Sequence, residues 1–343
     1  MSWPVGLKKI FCIPLRAELH EGVADIRALQ GKARPIVKDR PKVSIGTLMA
    51  AMAADIVTTV GRSLVVLDAF FAVGPVFEIL KQVVDANGQR LVHIVTRAKS
   101  NVVGYGNPPG RTGLRGRPKK YGVKYHLMSL FETRADQFEQ ADIALYGHIK
   151  SVRFLCLDLV WKPIGEKVRF VLVADGSERF ILMCSDLTLS AVDIILAYSY
   201  RFKIEVSFKV LKHLMGAFFY RFWTSAWPRI GKRTMSDLSS INDTRRKRLI
   251  RQTTDAIEAF ANLGCIATGI LQIVALNFHQ TIWRKYAGWL RTFTSIVPSE
   301  EIVKSVVQQE YYHNFRSFND TAIYRIIMSK SKKLSADLLP LAA

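Results

Sequence analysis

The chain has 343 residues, enough to bury a sizeable core in one large or two medium domains. Its 49 Lys and Arg residues outnumber 28 Asp and Glu residues, which gives a formal net charge of +21 and an isoelectric point of about 10.0. This excess favours a polyanionic partner, because each neutralised phosphate releases condensed counterions. The four cysteines are dispersed and form no C-x-x-C pair, which indicates buried thiols in a reducing compartment and argues against a zinc site.

The first hundred residues alternate between strand and helix patterns, an order that is typical of an α/β layer fold. The helix before the first aliphatic run has an N-cap candidate at Ser44 and a stop at Gly61. The aliphatic run itself ends at Asp68, which indicates a strand buried on both faces. The predicted elements, in chain order, are a strand at 11–19, a helix at 44–60, a strand at 64–67, a helix at 73–84 and a strand at 91–96.

The segment 107–124 is dense in glycine, proline and cations. Its core, Gly116-Arg117-Pro118-Lys119, is similar to a minor-groove hook in which arginine enters narrow A·T tracts. A basic loop that contacts only phosphates explains the same residues, and we favour this second interpretation. Three predicted strands follow at 152–160, 168–173 and 180–184, with Asp175-Gly176 as a hairpin turn.

The segment 187–216 reads as one helix with an unusual polar stripe. Tyr198, Arg201, Glu205 and Lys212 stand at offsets of 0, 3, 7 and 14, so they project within about 60° of one another on a regular helix. A carboxylate flanked by two cations on a largely apolar helix suits a charged ligand. A solvated face with incidental spacing is the alternative, and it explains a single Arg–Glu pair equally well.

The C-terminal part combines a basic stretch with a helical region. Residues 223–251 read as a solvated linker, with contact to the DNA backbone as a second interpretation. Residues 253–327 have a helical pattern throughout. The segment 259–278 is long and apolar, but Asn262 and Gln272 interrupt it, so we predict a buried core helix and no membrane span.

The string Y-x2-R-x3-E-x6-K at 198–212 resembles the YREK signature of bacterial insertion-sequence transposases, which have a DDE active site on an RNase H-like fold. LVVLDAFF at 64–71 and LVHIVTRAKSN at 91–101 are similar to the block of that family that carries the second carboxylate. The matching blocks lie within residues 60–225. The resemblance implies an α/β chain with an RNase H-like mixed sheet, a β-rich insertion and a helical C-terminal region.

The same resemblance implies four parts along the chain. The RNase H-like core is interrupted by the insertion and resumes with the signature helix. The expected boundaries are 1–99 for the first part of the core, 100–185 for the basic loop and β-rich insertion, 186–225 for the signature helix and 226–343 for the basic linker and helical C-terminal region.

The resemblance assigns catalysis to Asp68 and Glu205, the carboxylates that would hold Mg²⁺, with Mn²⁺ as an alternative. The chemistry agrees, because phosphodiester cleavage uses two divalent ions about 3.5–4 Å apart and Mg²⁺ prefers carboxylate oxygens. By the resemblance, Tyr198 and Arg201 hold phosphates of the DNA end, and Lys212 contacts the backbone near the cut. A simple ion pair between Arg201 and Glu205, one turn apart, is the alternative.

Four further cations are predicted DNA contacts. Arg97 and Lys99 belong to the Arg-x-Lys-x-Asn tail of the second strand block. Arg117 and Lys119 belong to the basic loop. All four suit phosphate oxygens, since arginine and lysine are the usual phosphate-binding side chains.

The chain departs from the family in its acidic residues. The family has another Asp on the first strand of the sheet, upstream of Asp68, but Asp25, Asp39 and Asp55 do not end an aliphatic strand. We therefore expect the chain to lack that strand and its Asp, which leaves two carboxylates and an under-liganded metal site. Asp186 is close to Glu205 in sequence, and we interpret it as the N-cap of the signature helix.

The resulting expectation is a transposase that binds the ends of an insertion sequence and catalyses Mg²⁺-dependent DNA cleavage and strand transfer. Because the first carboxylate is expected to be missing, we expect this chain to be a truncated form that is weakly active or inactive. Its partners would be double-stranded DNA, as terminal inverted repeats and target, and a second copy of the chain in the synaptic complex. We expect it in the bacterial cytoplasm, at the nucleoid when DNA-bound, and away from membranes. The alternative is a non-catalytic DNA-binding remnant that inhibits transposition, with a host nuclease of the same fold as a weaker third hypothesis.

Overall fold

The protein is an α/β chain built around a mixed sheet of eight strands, as the alternating pattern predicts. The strands are β1 Ser63–Leu67, β2 Val92–Arg97, β3 Val103–Tyr105, β4 Lys124–His126, β5 Glu139–Leu145, β6 His148–Trp161, β7 Glu166–Asp175 and β8 Glu178–Cys184. The computed structural model describes residues 12–19, 44–110, 119–221, 223–228, 241–289 and 295–314, with the single residues 317, 325 and 329.

The helices flank and follow this sheet. Before and within the strand region they are α1 Ile45–Val60, α2 Gly74–Lys81 and the short α3 Leu130–Thr133. After it they are α4 Ala191–Ser199, α5 Lys203–Lys209, α6 Thr244–Asn277, α7 His279–Lys285 and α8 Glu300–His313.

The chain divides into two compact units, each made of segments that are separate in sequence. The sheet unit consists of Glu18–Val206 and Phe222–Ala256. The helical unit consists of Met1–Ala17, Ser207–Arg221 and Ile257–Ala343. The four-part division expected from the sequence stays a prediction.

The sheet has the strand order β1-β2-β8-β7-β6-β3-β4, with β5 paired to β6 outside this path. The pair β1–β2 is parallel, with Leu67 opposite Thr96, and the other pairs are antiparallel. Because parallel strands run in the same direction, the residues that follow β1 and β2 emerge at one edge of the sheet.

Apolar layers cover both faces of the sheet unit. On one face, α1 and α2 supply Ala54, Val76 and Phe77 to a cluster that includes Ile94 of β2. On the other face, α4 packs Ile194 and its neighbours against β2, β7 and β8. Apolar side chains along a strand alternate between these layers, since successive residues point to opposite faces. The result is a helix–sheet–helix arrangement in which β2, between β1 and β8, contributes side chains to both layers.

Helix α1 begins and ends where its sequence predicts. The Ser44 side chain accepts a hydrogen bond from the Thr47 backbone N–H, and Gly61 ends the helix at φ 84°. The strand after it is less buried than predicted. β1 forms an end of the described sheet, and Leu64 keeps 37% of its surface exposed, so the prediction of a strand buried on both faces is wrong for that residue.

The β-rich region contains the three predicted strands, each longer than its prediction. The predicted hairpin between β7 and β8 is confirmed, with Gly176 at φ 60°. Its two-residue turn is Gly176-Ser177, one residue later than predicted, because Asp175 still pairs with Glu178. By contrast, residues 12–19 contain no strand, so that prediction is wrong over the part of it that is described. Pro14 lies in this segment and cannot donate a ladder hydrogen bond.

The C-terminal helices differ from the prediction mainly at their boundaries. Helix α6 begins at Thr244, so the arginine-rich end of the predicted linker is helical. One face of α6 is buried in the helical unit through Cys265, Leu271 and Ala275, which confirms a core-helix role for that face. Among the described helices, α6 alone is long and apolar enough for a membrane span, a test that buried core helices also pass.

The close contact of Gly104 in β3 with Leu159 in β6 gives a stability prediction. A Cβ atom at position 104 would lie 2.6 Å from Leu159 Cδ1 and 2.9 Å from Leu159 Cβ. We expect Gly104→Ala to lower the free energy of unfolding by about 1–3 kcal/mol in urea denaturation, because the strands must separate. Gly110→Ala is the control, since nothing lies within 4 Å of its added Cβ, and an equal loss there would contradict the steric explanation.

Candidate functional site

Asp68 lies directly after β1 at the edge of the sheet. Its Oδ1 accepts a hydrogen bond of 2.7 Å from the Ala69 backbone N–H, and 54% of its side chain is exposed. Its backbone carbonyl accepts a hydrogen bond of 3.0 Å from the hydroxyl of Thr96, a fully buried residue in β2. The end of β1 is thus fixed to β2, while the carboxylate faces solvent.

Arg201 brings the two predicted carboxylates together. Its Nη2 donates to Glu205 Oε1 at 3.0 Å, and its Nη1 lies 3.8 Å from Asp68 Oδ2. Partial burial opposes protonation, but the hydrogen bond to Glu205 and the negative charges of Asp68 and Glu205 raise the pKa of Arg201 above its ordinary value. The arginine therefore pairs with Glu205, as the simple interpretation predicts, and also with a carboxylate from a distant part of the chain.

The helix that carries these residues is not the single regular helix predicted for 187–216. It consists of α4, a 3-10 turn at Tyr200–Phe202, α5 and a π-helical turn at Val210–Leu214. In the π-helical turn Leu211 is buried against Ala217 and Cys265, a contact that accompanies the wider turn. The rotation per residue therefore changes at the 3-10 turn, which contains Arg201, and again at the π-helical turn, which contains Lys212. The regular α-helical spacing assumed for residues 198–212 does not hold along the whole segment.

The division into units also separates the predicted stripe. Tyr198, Arg201 and Glu205 belong to the sheet unit. Lys212 is exposed on the π-helical turn and belongs to the helical unit. The structure therefore brings together three of the four signature residues, and the contribution of Lys212 stays a prediction.

Asp186 does not cap the signature helix, so that prediction is wrong. The N-cap is Ser190, whose hydroxyl accepts from the Asp193 backbone N–H at 3.1 Å. Asp186 instead accepts two hydrogen bonds from Thr188, at 2.9 Å from its backbone N–H and 2.6 Å from its hydroxyl. Burial works against ionisation, but these bonds lower the pKa of Asp186 below its ordinary value.

Asp186 is also remote from Asp68 along the sheet. It lies 3.9 Å from His93, which is opposite Leu64 at the beginning of β1. Asp68 is four residues further along that strand, roughly 13 Å at the rise of a β-strand. Asp186 therefore does not join the carboxylates at Arg201.

A cleft of about 510 Å³ adjoins Arg201. Three cations and several aromatic rings line it, and Asp175 and Glu178 are the acidic residues in its lining. The lining residues that matter most here are Arg97, Tyr146, Lys150, Phe180, Tyr198 and Arg201. Cations between aromatic rings offer a nucleic acid both charge and stacking surface.

Tyr198 and Arg97 are far apart in sequence, but both line the cleft. Burial raises the pKa of the Tyr198 phenol, so it stays protonated and can donate a hydrogen bond at neutral pH. Arg97 ends β2 and its guanidinium carbon lies 5.2 Å from the centroid of the Phe180 ring. The aromatic ring holds this guanidinium without neutralising it.

Of the remaining predicted contacts, Lys99 and Lys119 are described and lie outside the cleft lining. Lys99 is exposed two residues after β2, and Lys119 is exposed where the described chain resumes after the basic loop. Arg117 lies outside the described residues. Asp55 lies within α1, and Asp25 and Asp39 are also outside the described residues, so the expected absence of a first-strand Asp stays a prediction.

Tyr146 is a residue of the cleft that the sequence analysis missed. It connects β5 to β6 together with Gly147, and the two residues have φ values of 53° and 87°. A left-handed backbone is unfavourable for tyrosine, and this turn normally selects Asn-Gly. The ring is 65% exposed and lies edge-on to Phe202, with centroids 6.4 Å apart. The signal in the sequence was the alternation on either side of Tyr-Gly.

The donors available for a metal ion are the two carboxylates at Arg201. Within the described ranges, no group of three or more His, Cys, Asp or Glu side chains is placed to hold a metal. Asp68 and Glu205 are both about half exposed, so each can exchange its arginine contact for another cation.

Comparison with known proteins identified no relative of this chain. No protein-family model matches the chain, and no protein of curated function matches it.

The strained turn at Tyr146 gives a second stability prediction. We expect Tyr146→Asn to raise the free energy of unfolding by about 1 kcal/mol, because asparagine tolerates the left-handed region and the mostly exposed ring contributes little burial. Thermal denaturation followed by circular dichroism measures the change. Tyr200→Asn is the matched control, since Tyr200 is also exposed but has φ −71°. A loss of stability at Tyr146 alone would mean that the contact with Phe202 outweighs the backbone strain.

Proposed function

We propose that this chain is a transposase of the bacterial insertion-sequence type, which binds DNA ends and catalyses Mg²⁺-dependent cleavage and strand transfer. The observation that supports the proposal most is the meeting of Asp68 and Glu205 at Arg201. The two carboxylates come from a strand end and a helix that are far apart in sequence, which is the convergence that a phosphodiester-cleaving site requires.

The two carboxylates fit a hard divalent cation. Both present oxygen donors to solvent, and Arg201 supplies the positive charge that keeps them close in the structure described here. Mg²⁺ is commonly held by one or two carboxylates and retains several waters. When bound at Asp68 and Glu205, such an ion would polarise the phosphate and lower the pKa of a water or terminal hydroxyl that attacks it.

The neighbouring residues support phosphate binding. Arg201 has two N–H groups now paired with carboxylates, and a cation held there would release them for phosphate oxygens. Tyr198 offers a protonated hydroxyl, and Arg97 offers a guanidinium in the same cleft. We propose that Lys99, Arg117, Lys119 and Lys212 add contacts to the DNA backbone, in keeping with the net charge of +21.

A second candidate function is a non-catalytic DNA binder that inhibits transposition. The observation that favours it is the number of acidic ligands, because only two carboxylates meet at Arg201 among the described residues. Loss of one ligand from a three-carboxylate site would cripple cleavage and leave the basic surface intact. The two candidates therefore share DNA binding and differ in metal-dependent cleavage.

The carboxylates give a catalytic prediction. If the transposase proposal holds, supercoiled plasmid incubated with the purified chain and Mg²⁺ or Mn²⁺ should be nicked slowly, because two carboxylates meet at Arg201 where the family has three. The nicked fraction is measured on agarose gels. Asp68→Ala and Glu205→Ala should each reduce the nicking rate at least about a hundredfold while DNA binding is kept, because each removes a metal ligand. Asp142→Ala, which removes an exposed carboxylate from β5, is the matched control and should cleave normally.

The outcomes separate the two candidates. Cleavage that survives either Ala variant would contradict the transposase proposal. Tight DNA binding with no metal-dependent product from the unmodified chain would support the non-catalytic binder. Nicking without any joining of cut ends would favour a nuclease of the same fold.

Arg97 gives a prediction about DNA affinity. In fluorescence titrations with labelled duplex DNA, Arg97→Ala should weaken binding and reduce the slope of log K against log salt by about 1, because one phosphate contact is lost. Arg134→Ala is the matched control, since Arg134 also lies over an aromatic ring, Tyr125, but is not part of the cleft lining. Equal effects of the two changes would show that only net charge matters.

A further inference from the structure

The sheet carries two exposed arginines in one row across its strands. Arg153 of β6 pairs with Ala174 of β7, and Ala174 pairs with Arg179 of β8. Paired residues on neighbouring strands point to the same face, and neighbouring strands lie about 4.8 Å apart. The Cα atoms of the two arginines are therefore roughly 10 Å apart, at two strand spacings. Both arginines belong to the sheet unit, so the row presents two positive charges to solvent at a spacing that the sheet fixes.

The row lies on the face of the sheet opposite the cleft. Two residues away along the same three strands, Leu155, Leu172 and Ile181 pack in the layer that contains α1 and α2. Phe180, the neighbour of Arg179, belongs to the other layer and lines the cleft. Because successive residues of a strand alternate between faces, the arginines and the cleft are on different sides of the sheet. A ligand in the cleft consequently leaves the row accessible.

Aromatic rings hold both guanidinium groups without neutralising them. The guanidinium carbon of Arg153 lies 5.7 Å from the centroid of the Phe138 ring, and that of Arg179 lies 5.8 Å from the centroid of Phe131. The centroids of the two rings are 5.4 Å apart. Contacts of this length between a cation and a ring favour the charged side chain and orient its planar group. The arginines are thus positioned before a partner binds, which lowers the entropy cost of binding.

Most donors of these two guanidinium groups are available to a partner. Each has five N–H groups. Arg153 donates one of them to the Ala135 carbonyl at 2.7 Å, and Arg179 lies 3.4 Å from Glu132 Oε1. The Glu132 side chain is 78% exposed, so this ion pair contributes little and can be exchanged for another carboxylate. Both arginines can therefore form a two-pronged pair with a carboxylate of a partner.

A third arginine extends this surface. Arg134 precedes Ala135, the residue that Arg153 contacts, and its guanidinium carbon lies 5.3 Å from the centroid of the Tyr125 ring. We call the surface formed by Arg134, Arg153 and Arg179 the arginine face. Arginine and aromatic side chains are enriched at protein interfaces and among the residues that contribute most to binding. The composition of the arginine face is therefore that of a protein-binding surface.

Acidic residues close to the arginine face favour a protein partner over a nucleic acid. Glu132 lies beside Arg179, and the exposed Asp136 follows Ala135 along the chain. Asp142 of β5 is also exposed and pairs with Ser151, two residues from Arg153 in β6. Duplex DNA carries one negative charge per about 1.7 Å and would meet these carboxylates along its backbone. A polypeptide can place single carboxylates opposite the arginines and none opposite the acidic residues.

We propose that the arginine face binds an acidic segment of another protein, whose carboxylates pair with Arg153 and Arg179. Three residues of extended chain span roughly 10 Å, so acidic residues three positions apart in the partner match the spacing of the two arginines. This site is additional to the cleft, and the proposal does not rest on the transposase proposal.

Fluorescence anisotropy with a labelled peptide that has glutamate at every third position tests the proposal. The nuclease-treated full chain is titrated into the peptide at about 0.15 M salt, where charges more than about 8 Å apart are largely screened. We expect saturable binding, and an affinity about tenfold lower for Arg153→Ala/Arg179→Ala, because two charge-assisted contacts are lost. The affinity of the same variant for labelled duplex DNA should be unchanged.

A second variant keeps the test decisive if the alanine variant does not fold by circular dichroism. Arg153→Lys/Arg179→Lys keeps the net charge but removes the planar group that pairs with a carboxylate in two places. We expect it to weaken peptide binding as well. Peptide affinity that is unchanged in this variant would overturn the proposed recognition.

Lys162→Ala/Lys167→Ala is the matched control. It removes the same charge from two exposed residues at the other end of β6 and β7, and it should keep the peptide affinity. Equal losses in the control and the arginine variants would show that only net charge matters and would overturn the proposal. A lack of peptide binding by the unmodified chain would also overturn it. Weaker binding of duplex DNA by the arginine variants, with unchanged peptide affinity, would overturn it in favour of a nucleic acid.

Discussion

The parallel pairing of β1 and β2 is the constraint on which the rest of the sheet unit depends. Both strands run toward the same edge, and apolar layers from α1, α2 and α4 hold them between two faces. This burial fixes where each strand ends. Because Leu67 pairs with Thr96, Asp68 and Arg97 follow side by side at the same edge, although a helix and its loops separate the two strands in sequence. The placement of these two side chains therefore follows from packing within the sheet.

At this edge of the sheet, one arginine lies between two negative charges. Two exposed carboxylates near each other repel, and the guanidinium of Arg201 lies between them. Exposed ion pairs contribute little to folding, so the group is better understood as an arrangement of exchangeable charges than as a source of stability. A divalent cation and a phosphate could replace these contacts with little change in the underlying fold.

The sequence predicted those features that depend on interactions between residues close together along the chain. The Ser44 cap, the Gly61 stop, the hairpin between β7 and β8 and the aliphatic strands all depend on neighbours within a few residues. The predictions that failed concern features for which two residues could serve equally well, or which depend on packing between distant parts of the chain. Asp186 and Ser190 are both competent caps, and the Ser190–Asp193 pair decided between them. The alternation around Tyr146-Gly147 indicates a turn, but a tyrosine does not indicate a left-handed backbone. The π-helical turn accompanies burial of Leu211 among residues distant in sequence.

The buried hydroxyl of Thr96 has a mechanical consequence. Its hydrogen bond to the Asp68 carbonyl ties the end of β1 to the strand that carries Arg97. A displacement of one strand end therefore has to break this bond or carry the other end with it. The spacing of Asp68 and Arg97 at the exposed edge thus depends on a hydroxyl that solvent does not reach.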